Sequence, residues 1–259
     1  MQLVICAIFR DEALYLREWI EFHRMVGVER FFLYQNNSKD EWQSVLQPFQ
    51  QQGIVEVIDW PIPPPCQLQA YQHFVDRFRS QPWWAAFLDC DEFLFSPSHA
   101  TVGEALATIP IQQCSAVGVN WMCFGASGHK TRTEGLVIER FTERPADQFD
   151  PNRHIKSIVR LQEIEQILGT PHWFDLRRGT IGEDGVLLRG PLSSKPQHSL
   201  LRINHYHTKS REEYLRRIAR GRADHTEHRS PEEFDAYQMR EVHDTSILRF
   251  LPELCERMR

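Results

Sequence analysis

Asp89, Asp91 and Glu92 stand together directly after the apolar run 84–88 and before Phe93-Leu94-Phe95. Carboxylates this close repel one another and lose hydration on burial, so the cluster calls for a cation or several donors. Hard oxygen ligands beside space for phosphate suit Mg2+ or Mn2+; a solvated acidic loop is the alternative on spacing alone. Further along, His205-Tyr206-His207 closes an apolar run and is followed by Lys209, Arg211, Arg216, Arg217, Arg220 and Arg222. Imidazoles there could complete a metal shell or serve as ordinary polar groups, and the basic residues could meet a diphosphate or form a solvated helix face.

Competing chemistries lack their devices. No Gly-x-Gly-x-x-Gly follows the first apolar run, and no Gly-Lys-Ser/Thr phosphate loop occurs. Gly125-Ala126-Ser127-Gly128-His129 puts His where a nucleophile elbow needs Gly two residues after the serine. Asp89-Cys90-Asp91 is followed by Phe93 on a fourth strand, unlike phosphatases with an aspartyl nucleophile.

The elements that must position these groups follow from periodicity. Residues 3–9, 30–36, 54–60 and 84–88 read as strands. Helices alternate with them: one capped by Asp11 and ended by Gly27, one through Trp42, Val45, Leu46 and Phe49, and one over 68–78 after a proline-rich loop. Such alternation predicts a mostly parallel sheet with helices on both faces. Its ligands would sit at the carboxyl ends of the strands, where the acidic cluster falls. The later segments 115–124, 136–142, 154–160 and 200–207 read as strands, with another suggested by His172-Trp173-Phe174-Asp175. Ser210 with Glu213 and Ser230 with Glu233 are two capping boxes that would open C-terminal helices.

The 259 residues are 41% hydrophobic and 25% charged, which excludes disordered and fibrous classes. Thirty basic against 35 acidic residues give a net charge of −5, with no general attraction for nucleic acid or an anionic membrane. Six cysteines without a Cys-x-x-Cys pair point to reduced thiols and a cytoplasmic setting. The uncharged stretch 105–129 carries Pro110, Gln112, Gln113, Ser115 and Asn120, so no transmembrane span is expected and membrane association would be at most peripheral, at the inner face. No internal repeat or low-complexity linker divides the chain, so one continuous domain over 1–259 is expected.

Several collinear stretches resemble glycosyltransferase family 92 and its bacterial family 2-like relatives. They are Arg10-Asp11-Glu12 with Tyr15-Leu16-Arg17-Glu18-Trp19-Ile20 and His23, Tyr34-Gln35-Asn36-Asn37-Ser38, Asp89-Cys90-Asp91-Glu92-Phe93, Trp121 with Phe124-Gly125, His154-Ile155-Lys156-Ser157-Ile158-Val159, and His205-Tyr206 with Lys209-Ser210 and Glu213. The resemblance implies a glycosyltransferase A fold, with a Rossmann-like, mostly parallel sheet covered by helices on both faces, a nucleotide-sugar-binding half at 1–95, an irregular acceptor-side half at 96–209 and C-terminal helices at 210–259. It further implies transfer of a sugar from a nucleotide donor, a UDP-sugar, to a glycan or glycolipid acceptor with inversion, assisted by Mn2+ or Mg2+. Asp89, Asp91 and His205 would hold the metal, with His207 in reserve. Phe9, Arg10, Glu12, Gln35, Asn37, Gln69, Asp89 and Lys209 would contact the nucleotide-sugar. Gln35 stands where relatives often carry Asp. Trp121, Phe124 and Gly125 would line the acceptor region, and inversion needs a carboxylate base, for which Asp175, Glu139 and Glu134 are candidates. A metal-dependent phosphohydrolase and a non-catalytic carbohydrate-binding module stay open beside this reading.

Overall fold

A computed structural model of the chain describes residues 1–167, 169–227 and 229–259. Leu3–Phe9 (β1) is buried along its whole length, as a strand covered on both faces should be. Ala13–Met25 (α1) follows, turning Leu16, Trp19, Ile20 and His23 inward. Asp11 does not cap it. Asp11 lies in the left-handed region at φ 51° and accepts from the Lys39 N–H, while Asp40 reaches across from a different loop to the Ala13 N–H at 2.7 Å. Arg30–Gln35 (β2), Trp42–Gln51 (α2), Val55–Asp59 (β3), Gln67–Phe78 (α3) and Trp84–Phe87 (β4) complete the alternating half close to the positions expected.

The second half holds Glu92–Phe95 (β5), Val102–Thr108 (α4), Ala116–Cys123 (β6), Val137–Arg140 (α5), Glu143–Arg144 (β7) and Ile155–Arg160 (β8). Ile164–Ile167 (β9), Phe174–Leu176 (β10), Thr180–Ile181 (β11), Arg202–His205 (β12), Arg211–Arg220 (α6), Val242–His243 (β13) and Leu251–Arg257 (α7) follow. The central sheet runs β3-β2-β1-β4-β8-β6-β12-β5, with β11 also on β6. The strand pairs β1 with β2, β2 with β3, β1 with β4, and β6 with both β11 and β12 are parallel. Only β8, between β4 and β6, and β5 on β12 run antiparallel to their neighbours. The mostly parallel α/β sheet is therefore present. Its carboxyl ends at β1, β4, β6 and β12 share one edge with the amino end of the reversed β8.

Side-chain alternation along β1 divides the core between the two faces. Leu3, Ile5 and Ala7 join Trp19, Phe22 and Phe93 on one side, and Val4, Cys6 and Ile8 join Tyr71, Phe74 and Phe87 on the other. Among the described residues no helix is long and apolar enough to cross a membrane.

Residues 136–142, expected as a strand, instead contain α5. The buried carboxylate of Glu18 on α1 accepts from the Val137 and Ile138 N–H groups at 2.8 and 3.2 Å, capping the short helix from outside its own sequence. Burial raises the Glu18 carboxyl to about 7 despite these bonds. The Ser210/Glu213 capping box forms in both halves. The Ser230/Glu233 box does not: Pro231–Tyr237 is a 3-10 turn without a side-chain cap, and the Glu233 carboxylate lies 3.0 Å from His207 Nε2 instead.

Arg140 on α5 makes a bidentate bond to Glu213 on α6 at 3.0 and 3.1 Å, and the Tyr15 hydroxyl of α1 donates to the same carboxylate at 2.7 Å. The pair is buried, with side chains 4% and 2% exposed. Burial alone would raise Glu213, but bonds from Arg140, Ser210 and Tyr15 draw it from 4.5 down to about 2. A lowered carboxyl stabilises the fold above its unfolded value and loses that contribution as pH falls. Stability should therefore decline between pH 4.5 and about 2. Arg140→Met, which leaves Glu213 buried without its cation, should cost ~3–5 kcal/mol at neutral pH and flatten this acid limb. Urea unfolding of both proteins across that range measures it; identical acid limbs would assign the pair no such role.

Candidate active site

The shared sheet edge opens into a cavity of about 320 Å³. Phe9 ends β1, Asp89 and Asp91 follow β4, Trp121 lies on β6, His205 ends β12, and His154 precedes β8; all six line it. Arg10, Glu12 and Gln67 contribute from loops and from α3, and α6 with the segment after it supplies Arg217, Arg220, Arg222, Asp224, Arg229 and Glu233.

The two aspartates are held differently. Asp89 accepts from Lys156 Nζ at 3.0 Å and from Gln67 Nε2 at 2.9 Å. Burial opposes its ionisation, yet the Lys156 charge prevails and keeps the carboxyl below its ordinary value. Lys156 is itself 1% exposed and lies 3.5 Å from Glu92, whose burial pushes its carboxyl well up. Asp91 is 3% exposed; Arg217 donates to it, and His205 Nε2 lies 3.6 Å away. These two partners outweigh burial and hold Asp91 well below the usual carboxylate range.

Asp91, His205 and His207 bring one potential ligand atom each to within 4.8 Å of one another. Nδ1 of His205 and Nδ1 of His207 are buried with no protein partner. Burial lowers both imidazoles, keeping their lone pairs available, and Glu233 orients His207 through Nε2. A carboxylate and two uncharged imidazoles with orphaned nitrogens form a chemically coherent set for a transition-metal dication. His207, held in reserve on the sequence, belongs to this set as much as His205 does.

Other expected site residues lie elsewhere. The Gln35 amide is used up by Asp59, at 2.9 Å, and by the Ser38 N–H, so it ties two strand ends together and does not line the cavity. Asn37 is exposed on the turn at φ 54°. Gln69 faces solvent and bonds the Pro65 carbonyl, whereas Gln67, two residues earlier, faces Asp89. Lys209 lines an adjoining cavity of about 250 Å³, its ammonium 4.4 Å from the Tyr15 ring centroid. Phe124 is fully buried against Tyr206. Gly125 is a packing glycine, since a Cβ there would stand 2.4 Å from the Tyr237 carbonyl oxygen. Glu134 and Glu139 are exposed, and Asp175 projects to solvent between the buried Phe174 and Leu176. None of these three carboxylates lines the cavity.

Sequence reading assigned no role to Lys156, although a lysine inside the apolar strand Ile155–Arg160 signals a buried cation in need of a partner. Nothing in local sequence marked Gln67 or His172.

The family model for glycosyltransferase family 92 matches residues 2–247. A glycosyltransferase family 92 protein of Oryza sativa subsp. japonica is 32% identical over 193 residues, covering 72% of this chain and 32% of its own length. One of Ricinus communis is 28% identical over 229 residues, covering 84% and 38%. The chain thus spans about a third of the length of the curated relatives it matches. Among solved structures, S. aureus TarS 1-349 in complex with UDP-GlcNAc superposes with a TM-score of 0.48 at 10% identity, covering 99% of this chain and 72% of that one.

The tight passage at Gly125 sets a local test. Gly125→Ala should cost ~1–3 kcal/mol by forcing the Tyr237 backbone, and with it the cavity wall, outward. Thermal unfolding with near-UV circular dichroism measures this; an unshifted midpoint would show that the segment carrying Tyr237 moves aside without cost.

Proposed function

Because the chain belongs to glycosyltransferase family 92, we propose that it moves a sugar from a nucleotide donor, a UDP-sugar, to a hydroxyl group of a glycan or glycolipid acceptor, with a divalent cation and with inversion at the anomeric carbon. The observation that carries this reading is the buried set of Asp91, His205 and His207 in the wall of an arginine-lined cavity.

Two imidazoles beside one carboxylate favour Mn2+ over Mg2+, which prefers an all-oxygen shell. Bound by Asp91, His205 and His207, the cation would offset the negative charge that gathers on the departing diphosphate. Arg217, Arg220, Arg222 and Arg229 supply forked donors along the same wall, suited to phosphate oxygens. Burial and the neighbouring charges of Arg217 and Arg222 lower the Arg229 guanidinium to about 10, so an anion placed among them relieves their mutual repulsion. Asp89, fixed by Lys156 and Gln67, is left to hold the nucleoside side of the donor with Phe9 and Arg10. Five buried free cysteines are in keeping with a cytoplasmic setting.

A screen of UDP- and GDP-sugars tests the proposal. Nucleoside diphosphate should be released from a UDP-sugar with Mn2+ present and not after chelation, and Asp91→Ala should slow it on the order of 100-fold. Thermal protection by Mn2+ gives a readout independent of turnover: His205→Ala and His207→Ala should each need more metal for the same shift in Tm. Release of inorganic phosphate would replace the proposal with a phosphohydrolase, and glycan binding without turnover would replace it with a binding module.

A further inference from the structure

Transfer with inversion needs an atom that accepts the proton of the incoming hydroxyl. Each carboxylate lining the main cavity already has a cationic or imidazole partner: Glu12 has Arg220, Asp89 has Lys156, Asp91 has Arg217, Asp224 has Arg222, and Glu233 has His207. Taking up a proton would cost each of them the ion pair or hydrogen bond that holds it.

His172 also lines the cavity, and its tautomer is set by its surroundings. Its Nδ1 lies 2.8 Å from the Ile155 carbonyl oxygen, which can only accept, so Nδ1 carries the hydrogen and Nε2 keeps its lone pair. Among the described residues Nε2 has no hydrogen-bond partner. The residue is held along its backbone too: the Ser157 hydroxyl donates to its carbonyl at 3.2 Å and its N–H donates to Thr170 Oγ1 at 3.3 Å. The Trp121 ring, which contacts His205 at 4.2 Å between centroids, also contacts His172 at 5.0 Å. One indole therefore bridges the candidate metal set and this imidazole.

We propose that His172 Nε2 is the proton acceptor for the attacking hydroxyl. The inference rests on the glycosyl-transfer reading above. As the acceptor oxygen bonds to the anomeric carbon, the bond from that carbon to the diphosphate breaks, its electron pair leaves with the nucleoside diphosphate, and the hydroxyl proton passes to Nε2. The groups that bear electrostatically on His172 are Lys156, Asp89 and His154. Burial and then Lys156 lower the imidazole to about 3, so it is uncharged at neutral pH. A base that weak suffices if the proton moves late, because a hydroxyl oxygen becomes strongly acidic once its new bond to carbon forms. His154, stacked on Trp121 with its Nδ1 at 3.1 Å from the Pro151 carbonyl, is the neighbour to discriminate against.

The test measures UDP release from the donor that wild type turns over, together with UDP affinity by calorimetry, both with Mn2+. His172→Ala should lose on the order of 100-fold or more in rate, bind UDP within about twofold of wild type, and recover activity with added imidazole. His172→Gln, which keeps most of the volume, should be equally slow and unrescued, guarding against a folding defect in the alanine variant. A wild-type rate in His172→Ala, a loss of rate matched by a loss of UDP affinity, or imidazole rescue confined to His154→Ala would each overturn the assignment. If wild type itself releases no nucleoside diphosphate, the glycosyl-transfer reading fails and the assignment with it, an outcome distinct from an active wild type whose rate ignores His172.

Discussion

Gathering three carboxylates at one strand end, two of them buried, is the constraint to which the rest of the molecule answers. Asp91 and Glu92 are almost wholly shielded from water, and Asp89 stands beside them. Left alone they would neutralise or unfold the edge. The compensating cations come from far along the chain. Lys156 arrives because β8 enters the sheet reversed, bringing its amino end to the edge where the parallel strands finish. Arg217 arrives because α6 turns back over the same edge, tied down by Arg140, Tyr15 and its own capping box. The architecture of the second half is in this sense a delivery of positive charge and imidazole to an acidic strand end.

That delivery explains which parts of the molecule could be read in advance. The run 3–9 and the helix containing Leu16, Trp19 and Ile20 announce themselves because hydrophobic periodicity is local. The acidic cluster is visible for the same reason, since its peculiarity lies within adjacent positions. What escaped notice was set by partners distant in sequence. Residues 136–142 look like a strand until Glu18, more than a hundred positions away, caps them into a helix. Glu233 looks like half of a capping box until His207 engages it. Gln35 looks like a base contact until Asp59 and Ser38 take both ends of its amide.

The same logic separates the residues that line the cavity from those that build its wall. Trp121, Phe124 and Gly125 are close in sequence and look alike as candidates for sugar contact. Strand alternation and packing part them: Trp121 faces the cavity among imidazoles, Phe124 enters the core beside Tyr206, and Gly125 makes room for a passing backbone. Residue type proposed these roles, while side-chain direction at the end of β6 decided among them.

One contact has a consequence for how such a site can diversify. Arg10 donates to the Arg220 carbonyl and Arg220 donates to the carbonyls of Arg10 and Asp11, while the Ala223 carbonyl takes the N–H groups of Cys66 and Gln67. Apart from the two guanidinium groups, everything in this clasp is main chain. Gly221 is tied to its place by a φ of 81° and Ala223 by its packing on the core, but the clasp is blind to the side chains of Arg222 and Asp224, which line the cavity. Mutations at these two positions can redraw the surface offered to a ligand while the anchorage persists, so they are free to drift in specificity at little risk to folding.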